Sequence, residues 1–356
     1  MKTKQMISSS KRINNTISML GNDRIHNIAR LNEKAFTRNR QMTIQDILMI
    51  NLARKGKTLS MEINNYFKDA AKREDRVSKQ AFSKQRMNLN PEVFVILNNE
   101  YIQSIYNSSD HKTLNGYIIT AIDGTVMEIP DTSELRKTFD CEKTENGIDH
   151  CAARARTSTI YDVMNNIVID AQINKYTASE KELGLRNILN MVNLLPDEKV
   201  MIIFDRGYVS AELMLILTEL QITFLCRVPK GRYEKEKKIM QSNDESIIFE
   251  LDKNRKRRLS KEVLEQAGNP KELNLRMTKV LLETGETECL ISNIPFTDFT
   301  SDEMGSLYFE RWKIETAYDI AKNKLKIENF SGRKQITIEQ EFYAHILLLN
   351  MIEDLK

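Results

Sequence analysis

The sequence predicts an α/β protein: a basic helical head, then a layered core of buried strands and helices with a mainly β segment set into it. Three observations predict this. The first 90 residues carry 19 Lys and Arg against 7 Asp and Glu, an excess of +12 in a chain of net charge +3, so the remainder carries −9. The middle of the chain changes to short β-branched apolar runs alternating with helical patterns. Near the end, a long amphipathic helix follows a charged interruption.

At 356 residues the chain has room for two or three domains with real cores. A basic head on an acidic body is the footprint of a polyanion-binding protein. No run of about 18 apolar residues is present, and no apolar stretch follows the basic start, so neither a membrane span nor a signal peptide is expected. The cysteines Cys141, Cys151, Cys226 and Cys289 are scattered without a CxxC pair. They read as buried thiols of a reduced, cytoplasmic chain. His150 beside Cys151 lacks the second pair that a zinc site needs.

Residues 1–110 read as the helical, basic, DNA-binding region, with only short helical patches before 40. A helix over 43–56 starts at the cap Thr43 and shows an apolar face of Ile44, Ile47, Leu48, Ile50 and Leu52. Two more start near Ser60 and Ser78. The second places Ala81, Phe82 and Met87 inward and Lys79, Lys84 and Arg86 outward, a pair resembling a helix-turn-helix. Pro91 opens a further helix. Residues 111–229 read as the first part of the core: strands over 117–129, 157–163 and 166–173, a helix over 180–195, a strand over 199–204, a helix over 209–220 and a strand over 223–228. That order is compatible with an RNase H-like α/β core. Residues 230–295 read as the mainly β insertion. Residues 296–356 complete the core with a long helix over 301–325, capped by Ser301, and a last helix over 338–354.

Three carboxylates stand out by context. Asp123 lies inside an apolar strand, where an unpaired charge is expensive. Asp205 ends a second buried strand, where α/β sheets usually place their sites. Glu315 lies on the long helix. Carboxylates suit hard cations such as Mg²⁺ or Mn²⁺, and two ions about 4 Å apart clamp the attacking and leaving oxygens of phosphoryl transfer. On the same helix, Tyr308, Glu315 and Lys322 fall within about 40° of one another, with Arg311 about 20° beyond. Glu315 is thereby placed for metal, and Arg311 and Lys322 for phosphate oxygens. Trp312, the only tryptophan, lies at the edge of that face. It either anchors the helix on the sheet or stacks on an unpaired DNA base.

The spacing of Tyr308, Arg311, Glu315 and Lys322 resembles the signature of bacterial insertion-sequence DDE transposases of the YREK group, the insertion-sequence-four family. Asp123-Gly124-Thr125 and Phe204-Asp205-Arg206-Gly207-Tyr208 resemble that family's first and second catalytic Asp motifs, and the stretch 77–89 its DNA-binding region. The resemblance covers roughly residues 40–350. It implies an RNase H-like core with a β insertion before the Glu helix, catalysis by Asp123, Asp205 and Glu315 with two Mg²⁺ or Mn²⁺ ions, and double-stranded transposon-end and target DNA as partners. Family members continue into a C-terminal dimerisation region, and this sequence stops at Lys356. Action as a homodimer on paired ends, or as a truncated non-catalytic derivative that occupies them, are the readings this leaves open.

Overall fold

Alternation along two neighbouring strands decides which side chains meet. The structure, a computed structural model, describes residues 6–37, 41–71, 74, 76–142, 151–282 and 285–356. Strand β1 (Ile118–Glu128) lies parallel to β5 (Val200–Phe204), with Ile118 opposite Val200 and Ile122 opposite Phe204. Antiparallel β3 (Ala152–Asp162) and β4 (Ile167–Lys175) extend the sheet on one side of β1, and parallel β6 (Thr223–Arg227) lies beyond β5. The turn between β3 and β4 is made by Asn166 at φ 59°, a backbone that Asn tolerates better than most residues. The spatial order β4-β3-β1-β5-β6 is the RNase H-like arrangement. Two-residue β2 (Cys141–Glu142) pairs with the start of β3.

The segment over 230–295 is not a separate sheet. Its strands β7 (Asp244–Glu250), β8 (Glu272–Leu281) and β9 (Thr287–Ser292) continue the core sheet antiparallel to β6, in the order β6-β9-β8-β7. Short helices at Glu234–Ile239, Lys253–Lys256 and Lys261–Gln266 accompany them.

The sheet separates two apolar cores. Ile118, Ile122, Ile202 and Phe204 belong to one, shared with the N-terminal helices α1 (Ser9–Met19), α2 (Asp23–Ala29), α3 (Ile44–Leu52), α4 (Leu59–Asp69), α5 (Lys79–Arg86) and α6 (Glu92–Tyr106). Ile119, Ala121, Met201 and Ile203 face the other. That second core takes Leu135 and Phe139 from α7 (Ser133–Phe139) and Leu307, Ile314 and Ala317 from the Glu-bearing helical segment. Helices α8 (Glu180–Leu194) and α9 (Ala211–Glu219) cover the first face through Ile188, Met191, Met214 and Leu215. The last helix, Gln335–Asp354, supplies Leu347 to one core and Ile346 to the other.

Several expectations change. The first 40 residues contain two real helices, α1 and α2. Asn22 caps α2, accepting from Arg24 N–H, and Asp23 adds an acid in the first turn. Helix α7 interrupts the path between β1 and β3 and had no expected counterpart. The helix expected over 301–325 starts behind Thr300, not Ser301, because Thr300 and Glu303 form a reciprocal capping box. It then runs as an α-helix Ser301–Phe309, a 3₁₀ turn Glu310–Trp312, an α-helix Lys313–Asp319 and a π turn Ile320–Lys324. Cys141 and Cys151 are not free thiols. They are disulfide-bonded, with Cα atoms 5.4 Å apart, because the β2–β3 pairing brings their backbones together. Cys226 and Cys289 are buried thiols as expected. His150 lies outside the described residues. No helix among the described residues is long and apolar enough to cross a membrane.

One buried group sets a pH dependence. Asp170 on β4 is pushed up to about 7 by burial, against the amide hydrogen bonds of Gln172 and Asn190 that favour its charged form. A carboxyl raised in the fold leaves the native state holding a proton that the unfolded chain has lost. Stability therefore falls as pH rises from about 4 to about 7. Asp170→Asn is expected to raise the melting temperature at pH 8, by a gain of up to about 4 kcal/mol, and to leave it nearly unchanged at pH 4. Equal melting shifts at both pH values would contradict this origin.

Candidate active site at the strand ends

Asp123 follows Ile122 on β1 and Asp205 follows Phe204 on β5, and Ile122 and Phe204 are register partners. The two aspartates therefore sit side by side on adjacent strands, which lie about 4.8 Å apart. Both share the parity of Ala121 and Ile203, so both start from the face covered by the Glu-bearing segment. That segment is pinned to β1 at the site itself. The Tyr318 hydroxyl donates to the Asp123 carbonyl at 2.8 Å and accepts from Thr159 Oγ1 at 2.7 Å.

Arg311 joins the acids. Its guanidinium lies 3.0 Å from Glu315 Oε1 and 4.0 Å from Asp123 Oδ2. Burial alone would depress its ionisation. The hydrogen bond to Glu315 and the charges of Asp205 and Glu315 reverse that and hold it firmly cationic. Asp123 is pushed up to about 6, chiefly by burial and then by the neighbouring charges of Glu180 and Glu315. The Gly124 N–H, which donates to its Oδ1 at 2.8 Å, and Arg311 pull the other way.

Among the described residues, no three His, Cys, Asp or Glu side chains are grouped closely enough to hold a metal ion. Arg311 is the cation that Asp123 and Glu315 face in this arrangement. The residues still fit a hard divalent ion. The acids offer only oxygen, and the site holds buried polar atoms without hydrogen-bond partners: the Tyr308 hydroxyl and Arg311 Nε. Such atoms are costly unless a ligand or water satisfies them.

The other expected contacts divide. Tyr308 is buried and faces Asp205, so it lies beneath the site and not on the surface. Lys322, carried on the wider π turn, donates to Val126 C=O at 2.7 Å and Thr125 Oγ1 at 3.2 Å and lies 3.6 Å from Glu328. It fastens the helix to β1, with its side chain still 27% exposed. Trp312 is 47% exposed with Arg311 stacked 4.4 Å from its ring centre, which removes the reading that it anchors the helix in the core. Lys79 and Lys84 are exposed on α5. Arg86 is not: it is 1% exposed and its guanidinium is spent on Gln340, Ser331, Glu341 and the Thr337 carbonyl. The alternation of α5 turns it inward beside Phe82, against the last helix. Arg12 and Arg54 are likewise buried against Asp354 and Glu341, so part of the N-terminal charge excess is internal. Glu180 escaped the sequence reading because nothing in its own segment marks it. Only the packing of α8 on β1 sets it beside Asp123.

The sheet order and the acids at its central strand ends define an RNase H-like protein with a carboxylate site. Residues 114–351 match the family model described as the transposase DDE domain, and the chain belongs to that family. It is 22% identical over 251 residues to the transposase InsG for insertion sequence element IS4 of Escherichia coli (strain K12), covering 69% of this chain and 54% of that protein. The chain thus spans about half the length of this curated relative. A cryo-EM structure of a piggyBac transposase synaptic complex with hairpin DNA is similar at a TM-score of 0.48 and 12% identity, over 96% of this chain and 74% of that one.

Proposed function

We propose that the chain is a DNA transposase that cleaves strands at transposon ends and joins them to target DNA. The observation that carries this is the alignment of Asp123 and Asp205 on adjacent strand ends, with Glu315 held to the same guanidinium as Asp123. Asp123, Asp205 and Glu315 would hold two Mg²⁺ or Mn²⁺ ions. Such ions, when bound, activate a water or 3′-hydroxyl and neutralise charge on the phosphoryl oxygens. Around them, Arg311 is placed to take a phosphate oxygen with its free Nε–H once Asp123 and Glu315 turn to a metal. Tyr308 holds its hydroxyl toward Asp205 from below. Lys79 and Lys84 offer charge to the DNA backbone outside the site, where each phosphate contact releases counterions. Two copies would act together on paired ends.

The test is a labelled duplex carrying the element's terminal repeat, incubated with the full chain in Mg²⁺ or Mn²⁺. A 3′-hydroxyl nick at the repeat boundary, followed by metal-dependent joined products, is expected. Binding without any cleavage in either metal would overturn the catalytic reading and leave an end-occupying protein.

Trp312 belongs to this reading as a base-stacking residue. An exposed indole beside the catalytic guanidinium can stack on an unpaired base, worth about 1–3 kcal/mol. Trp312→Ala is expected to melt like the wild type and to cleave fully paired ends about 10–100-fold more slowly. Activity should recover on ends already unpaired at the cut. An early-melting variant that is equally slow on both substrates would rule stacking out.

A further inference from the structure

The turn between α3 and α4, Lys55-Gly56-Lys57, rests on the loop that leaves the π turn of the Glu-bearing segment. Arg54, buried, donates to the Asn329 carbonyl at 2.9 Å. Asn329 Nδ2 donates back to the Gly56 carbonyl, 273 residues away in sequence, at 3.3 Å. Gly56 stands at φ 70°, in the region that favours glycine. A Cβ there would lie 3.1 Å from both Cβ and Cδ of Lys326, so the missing side chain gives the stem of Lys326 its place against the turn. Glu62 holds the turn from inside, accepting from the backbone N–H of Lys55 and of Lys57 at 2.8 Å each.

This junction gathers cations. Lys55, Lys57, Lys324 and Lys326 are all exposed. Among the described residues, none of their ammonium groups has an ion pair or a hydrogen bond. Exposed lysines elsewhere differ: Lys199, Lys235, Lys313 and Lys334 each close on an acid. The acids nearest the junction are committed. Glu62 serves the two backbone N–H groups, Glu341 serves Arg54 and Arg86, and Glu328 accepts from Glu128 N–H and lies 3.6 Å from Lys322. Like charges drawn together by a pinned backbone repel one another, and an anionic partner relieves that repulsion. Because the backbone is already fixed, little ordering is left for binding to bring about.

The position of these lysines names the partner. Lys322 is fastened at Thr125, two residues from Asp123. Lys324 and Lys326 follow it along the chain. Lys55 and Lys57 directly precede Thr58 and α4, the first helix of the pair that resembles a helix-turn-helix. We propose that Lys55, Lys57, Lys324 and Lys326 form a phosphate-contact surface for double-stranded DNA, carrying the duplex from the active site to the helical head. This rests on the transposase reading above and is separate from Lys79 and Lys84. A lysine ammonium meets a phosphate as a point charge, so the surface positions the duplex and reads no base.

The experiment is a salt titration of DNA binding by the full chain, on a duplex carrying the terminal repeat and on an unrelated duplex of the same length. The variants are a fourfold glutamine variant (Lys55→Gln, Lys57→Gln, Lys324→Gln, Lys326→Gln) and the matching fourfold arginine variant. Thermal melting checks the fold, and cleavage by the wild type in Mg²⁺ or Mn²⁺ is followed on the same preparation. The glutamine variant is expected to melt like the wild type. Its slope of log affinity against log salt should be shallower by about 3, at about 0.9 per phosphate contact. The loss should be equal on both duplexes, and the arginine variant should keep the wild-type slope. A hydroxyl-radical footprint of the glutamine variant should lose protection next to the cut and keep it where α5 binds. A well-folded glutamine variant with the wild-type slope, or a loss confined to the repeat duplex, overturns the proposal. If the wild type still cleaves in that case, the transposase reading stands without this surface. A wild type that binds through these lysines and cleaves in neither metal keeps the surface and loses the catalytic reading.

Discussion

Asp205→Asn is expected to abolish strand cleavage and joining while leaving DNA affinity within about twofold of the wild type. Asp205 sits beside Asp123 at the end of β5 and faces the Tyr308 hydroxyl and the Arg311 charge. Replacing one carboxylate oxygen by an amide removes a charge that would hold a divalent ion. Metal-ion stabilisation of phosphoryl transfer is worth several kcal/mol, so the loss should exceed about a thousandfold in rate. On the proposed reading DNA affinity would rest on exposed basic groups such as Lys79 and Lys84, which the change does not touch. The measurement is nicking and joining of a labelled end duplex, with a gel-shift titration on the same preparations. Wild-type cleavage by the variant would sink the assignment of Asp205. Loss of binding in parallel with cleavage would show that the residue acts through the fold.

Arg86→Ala should destabilise the protein by about 3–5 kcal/mol, the usual cost of removing one partner of a buried ion pair. Its guanidinium donates to Glu341 Oε1 at 2.7 Å, Ser331 Oγ at 3.0 Å, Gln340 Oε1 at 3.1 Å and the Thr337 carbonyl at 3.1 Å, all within the core. Glu341 also pairs with Arg54 and is itself fully buried. Burial would raise the Glu341 carboxyl, and the two arginines hold it below its ordinary value instead. Removing Arg86 leaves that charge half-compensated at the junction of the N-terminal helices and the last helix. Urea unfolding measures the loss, and Arg86→Ala combined with Glu341→Gln should recover part of it. A stable Arg86→Ala variant with weakened DNA binding would return Arg86 to the surface role that its sequence position suggests.

Asp205 and Arg86 mark where local sequence pattern suffices and where it does not. Asp123 and Asp205 are legible as candidates because one is a charge inside, and the other a charge ending, a β-branched apolar run, and a buried strand rarely carries one without a use. Glu315 was legible from the seven-residue spacing of its helix. Strands β1 and β3 to β6, helices α3 to α6 and the caps Thr43 and Ser78 follow from local periodicity and side-chain capping, and they appear close to where the sequence places them. What local pattern cannot carry is the identity of a neighbour from elsewhere in the chain. Arg86 reads as an outward charge on a basic helix until Glu341, some 250 residues later, supplies its partner. The strands of the segment over 230–295 read as a mainly β insertion, and only the pairing of β9 with β6 decides that they extend the core sheet. Lys322 reads as one of a row of exposed cations until a π turn swings it onto Val126. Cys141 and Cys151 read as separate thiols until β2 and β3 pair. In sequence Glu180 is one acid among many; Gly124, by lacking a Cβ, lets it reach Asp123. Short-range periodicity reports which face of an element is apolar, whereas long-range pairing decides what that face meets, and in this protein the second decides which charges are free to act.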